Sequence, residues 1–418
     1  MTCAHGPGAM RRALLAVIWM AATLAYPAWV AAKPFVPQAD SEVVETLPSS
    51  SAERGLKLMR AALARDPGNL ELALKVARRY IDTSRADGDP RYLGYAQSAL
   101  ARWWNGEQPE VVLLRATVRQ SRHEFEPALE DLRRLTRSDP DNVQAWLTRA
   151  TVEQVRGQFH EARQSCQRLA DLLRNVIGFA CVAEVDSLAG DDSAYHKLTG
   201  RIESDASLDP GTRAWLYTVL AEMAERRGAA AEAEKHFKAA WALAPSLYLR
   251  TALADFLLAA ARPQEVIALI PLKSGDVAQL PDALLLRRVL ALQMIVRDAG
   301  QAAPPAGQAG QNKADSKADS KAELQMLAGA TRARFAASAE RGENLHAREE
   351  ARFVLAIDGN AGRALELAQL NWRSQKEPAD ARILALAARA ANRPDALVPL
   401  RAFVAETRFT DAALAAML

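Results

Sequence analysis

Residues 109–142 read PEVVLLRATVRQSRHEFEPALEDLRRLTRSDPDN, and residues 143–174 read VQAWLTRATVEQVRGQFHEARQSCQRLADLLR. Laid over one another with a shift of 34, they coincide at their small and apolar positions. Ala116 falls on Ala150, Phe125 on Phe159, Ala128 on Ala162 and Leu135 on Leu169, while His123 falls on Gly157. A fixed period of this length marks a stack of like units and not a globular enzyme domain. Such a stack offers surface, so the first expectation is binding.

Working outward, the same pattern is strongest at 214–245, with Tyr217, Leu220, Ala221, Ala224, Gly228, Ala233, Phe237, Ala240 and Pro245. It recurs as Trp146, Ala150, Gly157, Phe159, Ala162 and Cys166, and as Val112, Ala116, Ala128, Leu132 and Pro140. These residues resemble the tetratricopeptide repeat, a helix–turn–helix unit. Each has a mechanical reason. Alanine where two helices cross lets the axes approach, and a larger residue would overpack. Gly157 and Gly228 turn the chain without a Cβ penalty. Pro140 and Pro245 stop the second helix. The resemblance covers most of 53–408 and implies an all-α superhelical solenoid of antiparallel helix pairs, eight or nine counting partial ones, whose first helices line a groove.

Composition agrees. The chain has 418 residues, half of them hydrophobic and a quarter charged. Alanine, arginine and leucine dominate, which favours helix. With 53 basic against 50 acidic residues the net charge is +3. That balance makes no electrostatic case for nucleic acid, which needs a clustered basic face.

Residues 1–32 read as a secretory signal: Arg11 and Arg12, the apolar run Ala13 to Ala25, Pro27, then Val30-Ala31-Ala32 before a cleavage that makes Lys33 the first mature residue. The run is short for a bilayer span. The expected location is periplasmic, with no membrane insertion after cleavage. Residues 33–50 carry three prolines and read as an extended segment. A helical array is expected over 51–297. Residues 298–322 include AGQAAPPAGQAGQNKADSKADSK, which lacks any large apolar side chain and is expected to be a disordered insert. Residues 323–418 then resume as C-terminal helix pairs, with a cap at Ala412 to Leu418.

Two features depart from the family. Arg115 and Arg149 stand where leucine is usual, and Arg119 and Glu153 where tyrosine is usual. Either Leu114 and Leu147 pack instead, or the charges line the groove wall. Arg149 and Glu153 are spaced to pair. Arg115 and Arg119 repel unless something anionic lies between them, so they are either solvated arginines with buried stems or a strip for an acidic ligand. The best candidate for a peptide-binding face is Trp215 with Thr218, Glu222, Glu225 and Arg226, since Trp and Arg are frequent hot-spot residues. Cys3 goes with the signal. By the family frame Cys166 lies on a second helix and Cys181 on the next first helix, against it. An oxidising compartment then suggests a Cys166–Cys181 disulfide stitching two repeats; two buried thiols are the alternative.

Catalytic constellations are missing from the sequence. His160-Glu161 opens like a zinc-protease helix, but Gln164 stands where the second histidine must be. The expected function is therefore a non-catalytic, cofactor-free scaffold for a protein or peptide partner in a cell envelope. The rival readings are a constitutive subunit of an envelope assembly or secretion complex, and an accessory subunit of a polysaccharide-handling enzyme.

Overall fold

The computed structural model describes residues 51–272, 276–301, 308–341 and 346–418, with residue 39 alone before them. The expected signal at 1–32 and nearly all of the extended segment 33–50 lie outside the described residues. Gly55–Leu418 form one compact unit. Among the described residues there is helix and no strand.

The helices come in pairs. After α1 (Ser51–Arg65) run α2 (Leu70–Asp87) and α3 (Arg91–Ala99), α4 (Pro109–Ser121) and α5 (Phe125–Ser138), α6 (Val143–Val155) and α7 (Phe159–Leu173). Next in the chain are α8 (Val176–Leu188) and α9 (Ser193–Ser204), α10 (Pro210–Arg226) and α11 (Ala230–Leu243), α12 (Leu247–Ala259) and α13 (Pro263–Leu269). The C-terminal part holds α14 (Asp282–Gln301), α15 (Gln308–Glu340), α16 (Ala347–Phe353), α17 (Ala361–Trp372), α18 (Pro378–Ala390), α19 (Val398–Thr407) and α20 (Ala412–Ala415).

Local chemistry sets this rhythm. First helices open on a side-chain cap: Asn69, Asn142, Asn175, Asp209 and Ser246 each accept from a backbone N–H in the first turn. The turn into the second helix is one motif used repeatedly. A residue in the left-handed region donates its N–H three residues back, and the next residue donates five back. Gly157 (φ 73°) and Gly228 (φ 76°) do this as the sequence suggests, but so do His123 (φ 60°), Ala261 (φ 55°) and Asn392 (φ 54°). The crossing alanines Ala116, Ala128, Ala150, Ala162, Ala221, Ala224 and Ala233 are all buried.

Helix reaches further than expected in one place. The stretch expected to be a disordered insert, 298–322, overlaps α14 at one end and α15 at the other, and residues 302–307 lie outside the described residues. The overlapping part is rich in Ala, Lys and Gln, good helix formers, and α15 meets no glycine or proline between Gln311 and Ala328.

Cys166 on α7 and Cys181 on α8 form the disulfide, with Cα atoms 5.3 Å apart. Gly178 explains why the helices meet so closely: a Cβ there would lie 2.5 Å from the Ala170 Cα.

The array is not one-dimensional. Its core is divided, and one cluster gathers Ala150, Phe159, Cys166 and Leu188 together with Phe353, Leu384, Leu400 and Phe409. The C-terminal pairs fold back onto the turns of the central ones. The Lys376 amide donates to the Val155 carbonyl (2.8 Å), and the Thr410 amide to that of Leu188 (3.0 Å). Phe403 packs against Phe159, Trp372 and Phe409. A Cβ on Gly157 would sit 2.6 Å from the Phe403 ring, so the turn glycine also admits the closing segment.

Candidate functional site

The α4 arginines come first. Arg115 is buried, 3% exposed, and lays its guanidinium on Asp131 of α5, Nε to Oδ2 at 2.8 Å and Nη2 to Oδ1 at 2.7 Å. It also donates to the Trp104 and Gly106 carbonyls. Arg119 reaches the same carboxylate at 2.6 Å, as does Arg134. Burial works to raise the Asp131 carboxyl, but Arg115 and Arg134 outweigh it and hold it below its usual range. The anion between the two arginines is thus the chain's own Asp131, and Leu114 is buried in the core. Arg149 and Glu153 pair at 2.8 Å, and Ser165 donates to the other Glu153 oxygen at 2.6 Å. Around the Asp131 cluster, Asn105, Glu107, Glu130, Arg133 and Arg137 complete the lining of a cavity of about 540 Å3.

The α10 candidates divide. Thr218 is buried and donates to the Ala214 carbonyl one turn back (2.9 Å). Arg226 is buried and donates to Ser187 Oγ at 3.3 Å. Glu225 is taken by Arg382 of α18 at 2.6 Å, and Arg382 also grips Asp411 at 2.6 Å. Glu225 is taken up by the packing of the C-terminal pairs on α10, while Thr218 is bonded within α10 and Arg226 to α8. Trp215 and Glu222 differ. Trp215 keeps 41% of its surface exposed. Glu222, two turns further on the same stripe, accepts a 2.6 Å hydrogen bond from the Tyr248 hydroxyl at the start of α12, and Tyr248 is 64% exposed.

The electrostatics of this face are unusual. Burial pushes the Glu222 carboxyl up to about 8; Tyr248 and Arg226 act against the shift, and Glu184 and Glu225 add to it. Burial likewise raises Glu184 on α8, with Arg226 and Gln154 opposing and Glu377 adding. Glu222 beside it holds the Tyr248 phenol far above its usual range. Glu184 of α8, Glu222 of α10, Tyr248 of α12 and Glu377, the residue before α18, therefore lie within electrostatic reach of one another, and their carboxyls repel. Sequence reading misses Tyr248 and Glu184. Tyr248 has no repeat signature, and only the Ser246 cap two residues earlier marks where its helix starts.

Among the described residues no group of His, Cys, Asp and Glu is placed to hold a metal ion, and no helix is long and apolar enough to cross a membrane.

No protein-family model and no curated protein matches the chain. Solved structures do. A tetratricopeptide repeat protein from Parabacteroides merdae is 14% identical, at TM-score 0.40, covering 56% of this chain and 92% of that one. A human IFIT1 dimer with m7Gppp-AAAA is 12% identical, at TM-score 0.38, covering 85% and 86%. The TPR domain of P58(IPK) is 15% identical, at TM-score 0.20, covering 82% and 99%. None of these likenesses bears on what this chain binds.

Proposed function

We propose that the chain is an exported, non-catalytic helical scaffold that holds a protein or peptide partner in the cell envelope at the α10–α12 face. The observation that carries this is a pair of exposed aromatic side chains, Trp215 on α10 and Tyr248 at the start of α12, the latter bonded to Glu222 of α10. Exposed Trp and Tyr supply large, rigid contact area with a polar handle, the usual anchors of an interface. Export rests on the reading of residues 1–32 alone.

The test is capture from a Gram-negative envelope extract by the wild-type chain, Trp215→Ala and Tyr248→Ala, read by quantitative mass spectrometry. Wild type should capture a defined protein that both variants lose at least tenfold, equal to about 1.4 kcal/mol, while all three chains melt alike. Equal capture by wild type and both variants overturns the proposal. A stoichiometric membrane complex captured by all three would instead support the constitutive envelope subunit. Carbohydrate-dependent capture would support the polysaccharide accessory.

A further inference from the structure

A second cavity, of about 850 Å3, lies where the N-terminal pairs meet the C-terminal ones. Its walls come from the start of α3, the turn between α4 and α5, and the ends of α15 and α17. Four arginines line it, Arg91, Arg122, Arg341 and Arg373, against the single carboxylate of Glu124. Arg91 is matched by Asp89 at 2.6 Å. Arg122 is not matched by an acid: it donates to the neutral amide oxygen of Gln97 (2.5 Å). Its Nη2 lies 3.9 Å from where a Cβ on Gly94 would be, so the glycine leaves room for it. Arg373, on the opposite wall, is exposed, and it is its peptide oxygen that is engaged, by Arg156. Among the described residues neither Arg122 nor Arg373 is in an ion pair. The lining also has an apolar part, with Leu93 and the 39%-exposed Leu370.

We propose that this cavity binds a small organic anion, a carboxylate or phosphate on an apolar body, held between Arg122 and Arg373. The volume falls in the range of small-ligand sites, which are mostly apolar with a few placed polar groups. Two arginines without acid partners, lining one cavity from elements far apart in sequence, leave positive charge that a ligand would neutralise, and Arg matches both anions bidentately. His123 of the same wall, down to about 4 through burial and then the charges of Arg348 and His346, is neutral near pH 7. It takes a hydrogen bond from Gln375 on Nδ1 (3.3 Å), which leaves Nε2 as a donor. The site is separate from the α10–α12 face and does not depend on what binds there.

Calorimetric titration with two probes tests this: inorganic pyrophosphate, and the peptide acetyl-Leu-Asp-Leu-Glu-amide. At low salt one of them should bind with Kd below about 1 mM, and more weakly as salt is raised. Arg122→Gln combined with Arg373→Gln should weaken it at least tenfold, Arg373→Lys should weaken it less than Arg373→Gln does, and Trp215→Ala should leave it unchanged. Binding of the peptide alone makes the ligand a carboxylate, and binding of pyrophosphate alone a phosphate. Should the double variant melt early, Arg373→Gln alone, on an exposed side chain, carries the test through the same loss. Absence of binding by both probes, or binding indifferent to Arg122 and Arg373, overturns the proposal.

Discussion

At the residue scale the decisive group is Asp131. A carboxylate with no exposed surface sits among Arg115, Arg119 and Arg134. Removing one partner of a buried pair leaves the other charge uncompensated, at a cost of about 3–5 kcal/mol. Asp131→Asn should therefore lower stability by several kcal/mol in urea melts, whereas Arg134→Gln, on a half-exposed side chain, should cost under about 1 kcal/mol. Equal losses would show that Asp131 is not the anchor. Glu222 supplies a pH signature. Its carboxyl rises from 4.5 to about 8 on folding, so the folded chain holds that proton more tightly than the unfolded one. The resulting stabilisation is complete below about pH 4.5 and lost as pH rises through about 8. Glu349 runs the other way: burial opposes the shift, but Arg348, Arg287 and Arg352 bring it down to about 2, so its contribution is present above 4.5 and fades as pH falls towards 2. Glu222→Gln should flatten the fall in melting temperature between pH 6 and 9 while leaving the acid limb in place. An unchanged alkaline limb would count against the assignment. Residues of this kind are half legible. The Arg149–Glu153 pair follows from a spacing of four on one helix. The Arg115–Asp131 pair joins side chains 16 residues apart on two helices, and no local period records it.

At the element scale the repeat is legible because its demands are steric. Alanine at a crossing and glycine in a left-handed turn can be read as letters, and both stand where expected. What the letters hide is that non-glycine residues take the same turn. Ala261 adopts φ 55° at a strain of roughly 1 kcal/mol. Ala261→Gly should raise stability by up to about 1 kcal/mol, less the glycine's larger unfolded entropy; a clear loss would show that the turn is not strained. The disulfide is an element-scale device as well, fastening a second helix to the next first helix across 15 residues. Its removal by Cys166→Ser with Cys181→Ser should cost about 3 kcal/mol if loop entropy governs. Thiol titration of the denatured, unreduced chain lacking residues 1–32 should find none. The stretch expected to be a disordered insert overlaps α14 and α15 at its described ends.

At the scale of the whole molecule, the all-α array of helix pairs expected from the sequence is what the described residues form, but the repeat by itself records only contacts between neighbouring pairs. The C-terminal pairs add contacts back to the central ones. Arg382 spans from Glu225 to Asp411, Arg156 donates to the Arg373 and Ser374 carbonyls, and four aromatic rings lock residues 159, 372, 403 and 409 together. None of this is legible in the sequence, because contacts between pairs some 200 residues apart leave no period, and Phe403 and Phe409 read as ordinary apolar residues. Closure helps decide which surfaces are free: it takes up Glu225 and leaves Trp215, Tyr248 and the arginine-lined seam. Phe409→Ala should cost about 3–5 kcal/mol if that ring belongs to the core, seen as a lowered urea midpoint. The most direct measurement is hydrogen exchange at two amides, Lys376 and Thr410, whose acceptors are the carbonyls of Val155 and Leu188. The closed molecule predicts exchange as slow as in the interior of α6–α10, set by global unfolding. Exchange at the rate of an unprotected peptide at both positions, with α6–α10 still protected, would contradict it.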